Sequence, residues 1–330
     1  MLRSENGITT STKISKIEEK CPNKLSRNVR IIEPYPFTHR FRVKKEDQGR
    51  QLIEMMVNRF PFKSRADWND RIKSGYVRIN DRKSSGDDFL KSSDFISHHN
   101  PKVKEPAVPD HIDIIDETDD YLVVVKPAPM PVHPGGRYYK NTLIEILKER
   151  GYKNLKIIHR LDAVTSGLLI FGKNPVFTRK LFHHFQKGNV IKQYYALVSG
   201  HPVEDEKVVD ISIRRKEGFR FTCDPYNRHG SKLAKTRFEV RERFHETSLI
   251  ACYPQTGRTH QLRLHLQFWG YPIYDDPIYG PDNNNERIQK RAISLFNAEL
   301  KIPGLGIDYL LPPPSDWTIT SPSSALVERC

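Results

Sequence analysis

Residues 159–168 read His-Arg-Leu-Asp-Ala-Val-Thr-Ser-Gly-Leu, which places one carboxylate, Asp162, between a basic dipeptide and a tight turn. A carboxylate held in a fixed direction can act as a nucleophile or as a base. Thr165, Ser166 and Gly167 supply the turn chemistry that would hold it: two hydroxyls for nearby backbone and a glycine free to take positive φ. An Asp ahead of Thr-Ser-Gly serves equally well as a plain turn residue or cap, so the run by itself leaves both readings open. Two other site patterns drop out. The His-Arg-Asp core of a kinase catalytic loop is superficially similar, but no Gly-rich phosphate loop, Val-Ala-Ile-Lys strand or Asp-Phe-Gly accompanies it. A Gly-x-Ser-x-Gly elbow is absent, because Val164 stands two residues before Ser166.

The elements around this run must aim the carboxylate. Residues 155–158 form a short extended segment, and 168–171, Leu-Leu-Ile-Phe, form an apolar run of strand length bounded by glycines, so Asp162 falls in a connection between two strands. Strands are expected at 112–115 and 121–125, joined by an acidic turn. Val125-Lys126-Pro127 then leads into a loop rich in Pro and Gly. Helices are expected from 143 and over 176–186, and strands over 193–198 and near 208–213, 219–222, 234–241 and 247–253. This inventory predicts an α+β fold with a predominantly antiparallel sheet.

Upstream, residues 38–99 read as a small unit of their own. Leu52, Ile53, Met55, Met56 and Phe60 recur at helical spacing, a second helix follows over 64–72 and closes at Gly75, and 76–80 alternates like a strand before an Asn80-Asp81 turn. Residues 1–32 are polar and aperiodic and read as a flexible tail, as do 321–330. Three prolines within 100–109 mark a linker, which leaves 110–320 as the second and larger domain.

Three blocks then fall in an order that a single chance match would not explain: His159-Arg160-Leu161-Asp162 with Thr165-Ser166-Gly167; Lys192-Gln193-Tyr194-Tyr195-Ala196-Leu197-Val198-Ser199-Gly200; and Thr256-Gly257-Arg258-Thr259-His260-Gln261-Leu262-Arg263-Leu264-His265-Leu266. With these blocks the chain resembles the RluA-type RNA pseudouridine synthases over about 108–320. Supporting matches run from Val125-Lys126-Pro127 to His133-Pro134, and over Asp276-Pro277-Ile278-Tyr279-Gly280. The sequence departs from the family pattern at Ala163, Asp275 and Asn297, none of which is a group the chemistry needs.

The resemblance implies the pseudouridine synthase catalytic fold with a mixed sheet, preceded at 38–99 by a degenerate αL-type RNA-binding module. It also implies a reaction that breaks the uracil N1–ribose bond, turns the base and joins C5 to the sugar. Nothing external is added, so no cofactor is expected. Asp162 becomes the catalytic residue, acting at the sugar as nucleophile or base. Tyr194 matches the family tyrosine that stacks on the extracted base, with a hydroxyl placed to assist removal of the C5 proton. A pocket that excludes water pushes a carboxylate toward protonation and a nearby guanidinium opposes this; Arg263, three residues after His260, is the candidate, its fork suited to a carboxylate. Arg258 is the alternative and otherwise a phosphate contact. His159, Arg160, Thr165, Lys192 and His260 are candidates for holding the nucleotide, and Lys63, Arg65, Arg71 and Arg78 for a basic face on the small module.

Composition agrees with a polyanionic partner. Lys and Arg number 54 against 40 Asp and Glu, a net charge of +14, with a sequence pI near 9.5; such charge gains affinity for nucleic acid by releasing its counterions. A basic but otherwise ordinary protein is the plain alternative. Four scattered cysteines without Cys-x-x-Cys spacing indicate neither a zinc site nor a disulfide framework, and the histidines lack metal-ligand spacing. No metal is expected, and the compartment is expected to be reducing. Glu5, Glu18 and Glu19 among the first lysines fit neither a signal nor a transit peptide. No window approaches the roughly 20 apolar residues of a membrane span, so a cytoplasmic protein without membrane partner is expected. The family's usual state is a monomer. A second reading from another class is an RNA-binding or chaperone protein that keeps the fold without turnover, against which the intact Asp162, Tyr194 and Arg263 stand. A deaminase fusion is disfavoured because no His-x-Glu with Pro-Cys-x-x-Cys occurs. Among structured RNAs, the small module and the 132–138 loop favour transfer RNA over ribosomal RNA.

Overall fold

The computed structural model describes residues 29–281 and 291–317; the tail expected at 321–330, most of that expected at 1–32, and Cys21 and Cys330 lie outside the described residues. Two compact units form, one over 31–106 and one from 107 onward that also takes in 29–30.

Strand β1 (Val29–Arg30) belongs to the larger unit. The smaller unit runs β2 (Tyr35–Arg42), α1 (Leu52–Arg59), α2 (Arg65–Lys73), β3 (Val77–Ile79), β4 (Arg82–Lys83) and β5 (Phe95–Val103), with sheet order β2-β5-β3-β4, antiparallel throughout. Ser64 starts α2 through a reciprocal capping box with Asp67. Leu52, Met55 and Met56 of α1 and Trp68 and Ile72 of α2 close one core. Gly75, at φ +73, and the Asn80-Asp81 pair, both at positive φ, make the two turns that the sequence marks there.

The larger unit continues with β6 (Val108–Pro109), β7 (Asp113–Glu117), β8 (Tyr121–Lys126), α3 (Leu143–Glu149), β9 (Lys156–Ile157), β10 (Ser166–Gly172), α4 (Pro175–Lys187), β11 (Ile191–Ser199), β12 (Glu206–Asp210), β13 (Ser212–Glu217), β14 (Arg220–Asp224), β15 (Lys235–Arg243), β16 (Thr247–Pro254), α5 (Gln261–Trp269), β17 (Leu295–Ile302) and β18 (Ile307–Leu310). Its main sheet has the order β12-β15-β16-β11-β17-β10-β8-β7, with β9 on β10 and β18 on β17. Among the described strands only β10 and β17 pair in parallel, which makes the sheet mixed and mostly antiparallel.

The continuous apolar runs of β8 and β10 arise because both faces of the sheet are covered. Leu122, Val124, Leu169 and Phe171 enter one core with α3 and with Leu262 and Leu266 of α5. Val123, Val125, Leu168 and Ile170 enter the other with Leu181 of α4, as the two-residue alternation of a strand requires. Tyr194 and Tyr195 divide between these cores in the same way.

Two sequence boundaries move. The segment 100–109 is not a free linker: β5 extends to Val103, and Val108–Pro109 pairs with Val29–Arg30. Proline is tolerated there because the ladder is an isolated two-strand edge. The tail likewise ends earlier than 32, since Arg30 reaches Asn141 at 3.1 Å and Glu149 at 2.7 Å.

Candidate active site

Asp162 sits in the connection from β9 to β10, and its loop is fixed mainly through backbone. Thr165 N–H closes a turn on the Asp162 carbonyl at 3.1 Å, Met130 N–H donates to the Ala163 carbonyl at 2.8 Å, and Ile293 N–H donates to that of Val164 at 3.0 Å. Lys126, fully buried at the end of β8, adds its ammonium: Nζ donates to the carbonyls of Met130 at 2.7 Å, Pro127 at 2.8 Å and Ala163 at 3.3 Å. Burial pushes Lys126 down to about 7, and the charge of Asp162 pulls the other way. Gly167 starts β10 at φ +117, where a Cβ would lie 2.4 Å from backbone N and O of Asn297. The strand carrying Asp162's loop therefore meets β17 at a contact that only glycine permits. Asn297 itself is buried and donates to the Leu168 carbonyl at 2.7 Å, and Asp275 holds Ser294 through its N–H at 2.7 Å, so these two departures from the family pattern are structural.

The Asp162 side chain keeps 30% exposure. Two nitrogens face its Oδ2: Arg263 Nη1 at 3.6 Å and His260 Nε2 at 3.8 Å. Both distances exceed a hydrogen bond, so the carboxylate is electrostatically supported while its lone pairs stay open to a substrate. Arg263 is 2% exposed, and its fork goes elsewhere. Nε and Nη2 grip both oxygens of the fully buried Asp276 at 2.6 and 2.7 Å. This corrects the expectation that Arg263 would hold Asp162 bidentately. Burial lowers the Arg263 pKa, but the hydrogen bonds and charge of Asp276, with that of Asp162, outweigh it and raise it overall. Asp276 is held in turn by the N–H groups of Ile278 at 2.9 Å and Tyr279 at 3.1 Å.

The 256–260 turn owes its shape to Gln261, whose Oε1 accepts from Thr256 Oγ1 at 2.7 Å and Arg258 N at 3.0 Å. His260 follows in the left-handed region, at φ 57, immediately before α5. Burial lowers its pKa, and Asp162 opposes that shift. Tyr194, on β11, lines the same cleft. Its pKa is raised by burial first and by Asp162's charge second. The hydroxyl thus keeps its proton, which suits a stacking ring and disfavours a phenolate base.

The cleft has a volume of about 1320 Å³ and is lined by Asp162, Tyr194, Arg263, His260, Arg160, Thr165, Lys192 and Arg258, with Arg237 and Tyr253 on one wall. Pockets for small molecules run to roughly 300–1,000 Å³, so the cleft is larger than a small molecule requires. Arg160 and Arg258 are exposed at its edge, Arg258 anchored by Nε on the Leu233 carbonyl at 2.9 Å. Lys192 is half-buried, and burial lowers its pKa.

Two of the nucleotide-holding candidates line the cleft and also brace the loop. His159 stacks on Phe185 of α4 at 4.7 Å and accepts from Ile170 N–H at 3.3 Å, and burial, with the charge of Lys192, pushes it down to about 3. Thr165 is buried. In the smaller unit the expected basic face is largely committed. Arg65 pairs with Glu54 at 2.6 Å, Arg71 donates to His98 and to the His99 carbonyl, and Arg78 donates to the Gly75 carbonyl; Lys63 is half-buried. Sequence reasoning assigned no role to Asp276, Tyr279 or Lys126, although the Asp-Pro-x-Tyr-Gly signal of a side-chain-held turn was visible.

The comparisons with known proteins agree with this geometry. Residues 120–268 match the family model described as RNA pseudouridylate synthase. An Arabidopsis thaliana relative, RNA pseudouridine synthase 7, is 34% identical over 274 residues, covering 80% of this chain and 69% of that one. The chain belongs to the RNA pseudouridine synthase family. A Saccharomyces cerevisiae member, the mitochondrial tRNA pseudouridine(32) synthase, is 33% identical over 257 residues; the match covers 77% of this chain and 55% of the yeast protein, so the chain spans little more than half of that relative. The solved structure of human RNA pseudouridylate synthase domain containing 1 superposes with a TM-score of 0.54 at 27% identity, covering 64% of this chain and 86% of that one. The three blocks of this synthase-family chain thus converge on one cleft around Asp162. Among the described residues no helix is long and apolar enough to cross a membrane, and no cluster of three metal-ligating side chains occurs.

Proposed function

We propose that this chain is an isomerase that converts uridine to pseudouridine in a structured RNA, with transfer RNA as the substrate class. The observation that carries the reading is Asp162 itself: a part-exposed carboxylate in a cleft larger than a small molecule requires, flanked by a buried arginine and a histidine yet hydrogen-bonded by neither. The yeast relative's name supports transfer RNA over ribosomal RNA.

In a helix the glycosidic bond of a uridine is inaccessible, so the nucleotide must be extracted at a cost of a few kcal/mol. Arg160 and Arg258 at the cleft edge, with Lys192 deeper, offset that cost on the backbone phosphates. The Tyr194 ring stacks on the extracted base, a contact worth about 1–3 kcal/mol. Asp162 then acts at the sugar, either attacking it or taking a proton from it, while Arg263 offsets its charge and Asp276 holds Arg263. The N1–C1′ bond breaks with its electron pair going to the uracil, the base turns, C5 bonds to C1′ as Asp162 leaves C1′ or returns the proton it took, and the proton lost from C5 is balanced by the one gained at N1. No cofactor enters this scheme. Lys63, Arg65, Arg71 and Arg78 of the small unit remain candidates for added RNA contact, with Arg78 and Arg65 the exposed ones. We read the protein as a monomer in the cytoplasm; recovery in the mitochondrial fraction, the compartment in the yeast relative's name, would overturn that placement.

The test is carbodiimide mapping of pseudouridine in total RNA incubated with wild type and with Asp162→Ala. Sites that appear with wild type and vanish with the variant support the reading and name the uridine. Binding by both without modification by either overturns it in favour of a non-catalytic RNA-binding protein.

A further inference from the structure

Strands β13 and β14 form a hairpin outside the main sheet. Its inner face packs Ile213, Phe221 and Cys223 against Leu264 of α5 and the Tyr279 ring. From this hairpin the Phe221 N–H donates to Tyr279 Oη at 3.1 Å. The same oxygen lies 2.8 Å from His260 Nδ1, and the far nitrogen of that imidazole, Nε2, faces Asp162 Oδ2 at 3.8 Å. Tyr279 also carries Arg263 over its ring at 4.9 Å and is anchored by its own N–H on Asp276. One residue thus touches the hairpin and both groups that flank the catalytic carboxylate.

We propose that Tyr279 is a positioning residue that fixes His260 as the tautomer protonated on Nε2, and so aims one N–H at Asp162. The proposal rests on Asp162 being the reacting carboxylate. The proton count decides the tautomer. Tyr279 Oη already accepts from Phe221, and Tyr279 is 5% exposed. Among the described residues its own proton has one acceptor in reach, His260 Nδ1. If Nδ1 carried the hydrogen, two donors would face each other's oxygen and nitrogen, the buried hydroxyl proton would go unpaired, and the bare lone pair of Nε2 would point at a carboxylate. Each of these is unfavourable. With the hydrogen on Nε2 the Phe221 N–H, the Tyr279 hydroxyl and His260 Nδ1 are all paired, and the Nε2–H faces Asp162 across 3.8 Å, an attractive orientation that leaves the carboxylate oxygens open. Because the donor to Tyr279 is a backbone N–H of the hairpin, docking of that hairpin becomes part of the catalytic geometry.

The test begins with the wild-type protein labelled with ¹⁵N-histidine, the His260 signals being those lost in His260→Gln. A long-range ¹H–¹⁵N spectrum at neutral pH is expected to give a protonated Nε2 and a bare Nδ1; the opposite pattern overturns the proposal without any activity measurement. Tyr279→Phe keeps the ring under Arg263 and removes only the hydroxyl. It is expected to mix the tautomers and to lower the single-turnover rate about tenfold, the size of one lost hydrogen bond, with RNA affinity unchanged. An unchanged rate, or a loss confined to RNA binding, overturns it. If Asp162→Ala were active, the assignment of Asp162 would fail while the tautomer result still stood, so the two failures are distinguishable.

Discussion

Asp276→Asn removes a charge without removing volume, and its consequences follow from the distances around Arg263. An asparagine Oδ1 in place of the carboxylate Oδ1 still accepts from Ile278 N–H, Tyr279 N–H and Arg263 Nη2. The atom replacing Oδ2 becomes an amide nitrogen 2.6 Å from Arg263 Nε, donor against donor. Arg263 is 2% exposed and cannot recover hydration. Breaking a buried ion pair on one side costs about 3–5 kcal/mol, and for a domain of this size about 2–4 °C of melting temperature goes with each kcal/mol. Asp276→Asn should therefore melt about 6–20 °C below wild type by calorimetry. Activity should fall by about 10²-fold, because a guanidinium that has lost its buttress shifts relative to Asp162 on the scale of an ångström. Adding Arg263→Met removes the stranded charge as well. The double variant should regain at least half of the lost melting temperature while staying inactive. A single variant that melts within about 2 °C of wild type, or a double variant that regains activity, would refute the reasoning.

Two further outcomes are expected. Gly167→Ala forces a Cβ to within 2.4 Å of Asn297 backbone at a φ of +117, so it should cost roughly 3 kcal/mol or more and be recovered largely as insoluble protein; a soluble variant with wild-type urea midpoint would contradict that contact. Burial holds His159 down to about 3 and His98 down to about 4 in the folded chain, against about 6.5 when unfolded. At these two sites the unfolded chain thus binds more protons between these values, and the stability they contribute is full above pH 6.5 and falls as pH drops toward 4 and 3. Urea midpoints measured from pH 7.5 to 5 should decline, and less steeply in His159→Gln; equal slopes would remove His159 from the account.

The loop carrying Asp162 was legible in the sequence because its signal is local: a carboxylate, a turn and two flanking strands all lie between 155 and 172, and hydrophobic periodicity sets the strands. The two cores were not read from the sequence, although the run Leu168 to Phe171 carries their signal, since a strand is apolar at consecutive positions where both sheet faces are covered. His159 lines the same cleft as Asp162, but its ring contacts could not be read from the sequence. The ring turns to the α4 side of the sheet and stacks on Phe185, a partner 26 positions away in an element with no motif of its own. Prolines misled at 100–109, where an isolated edge ladder tolerates a residue that a central strand would reject.

The assignment of Arg263's fork marks where sequence reasoning runs out. With 40 acidic residues available, the chain does not say which one a buried guanidinium will grip, and the nearest functional carboxylate was the natural choice. The structure supplies a chemical reason why it should not be Asp162. A carboxylate that accepted two strong bonds from arginine would have its lone pairs occupied and its nucleophilicity spent. By giving the fork to Asp276 and leaving Nη1 at 3.6 Å, the fold keeps the guanidinium's charge beside Asp162 while sparing the oxygens. On the proposed reading the segment 276–280 then belongs to the site as much as the run at 159–168. Asp276 buttresses Arg263, Tyr279 orients His260, and Gly280 permits the turn that presents both, since a Cβ there would lie 2.3 Å from the Asp276 carbonyl oxygen.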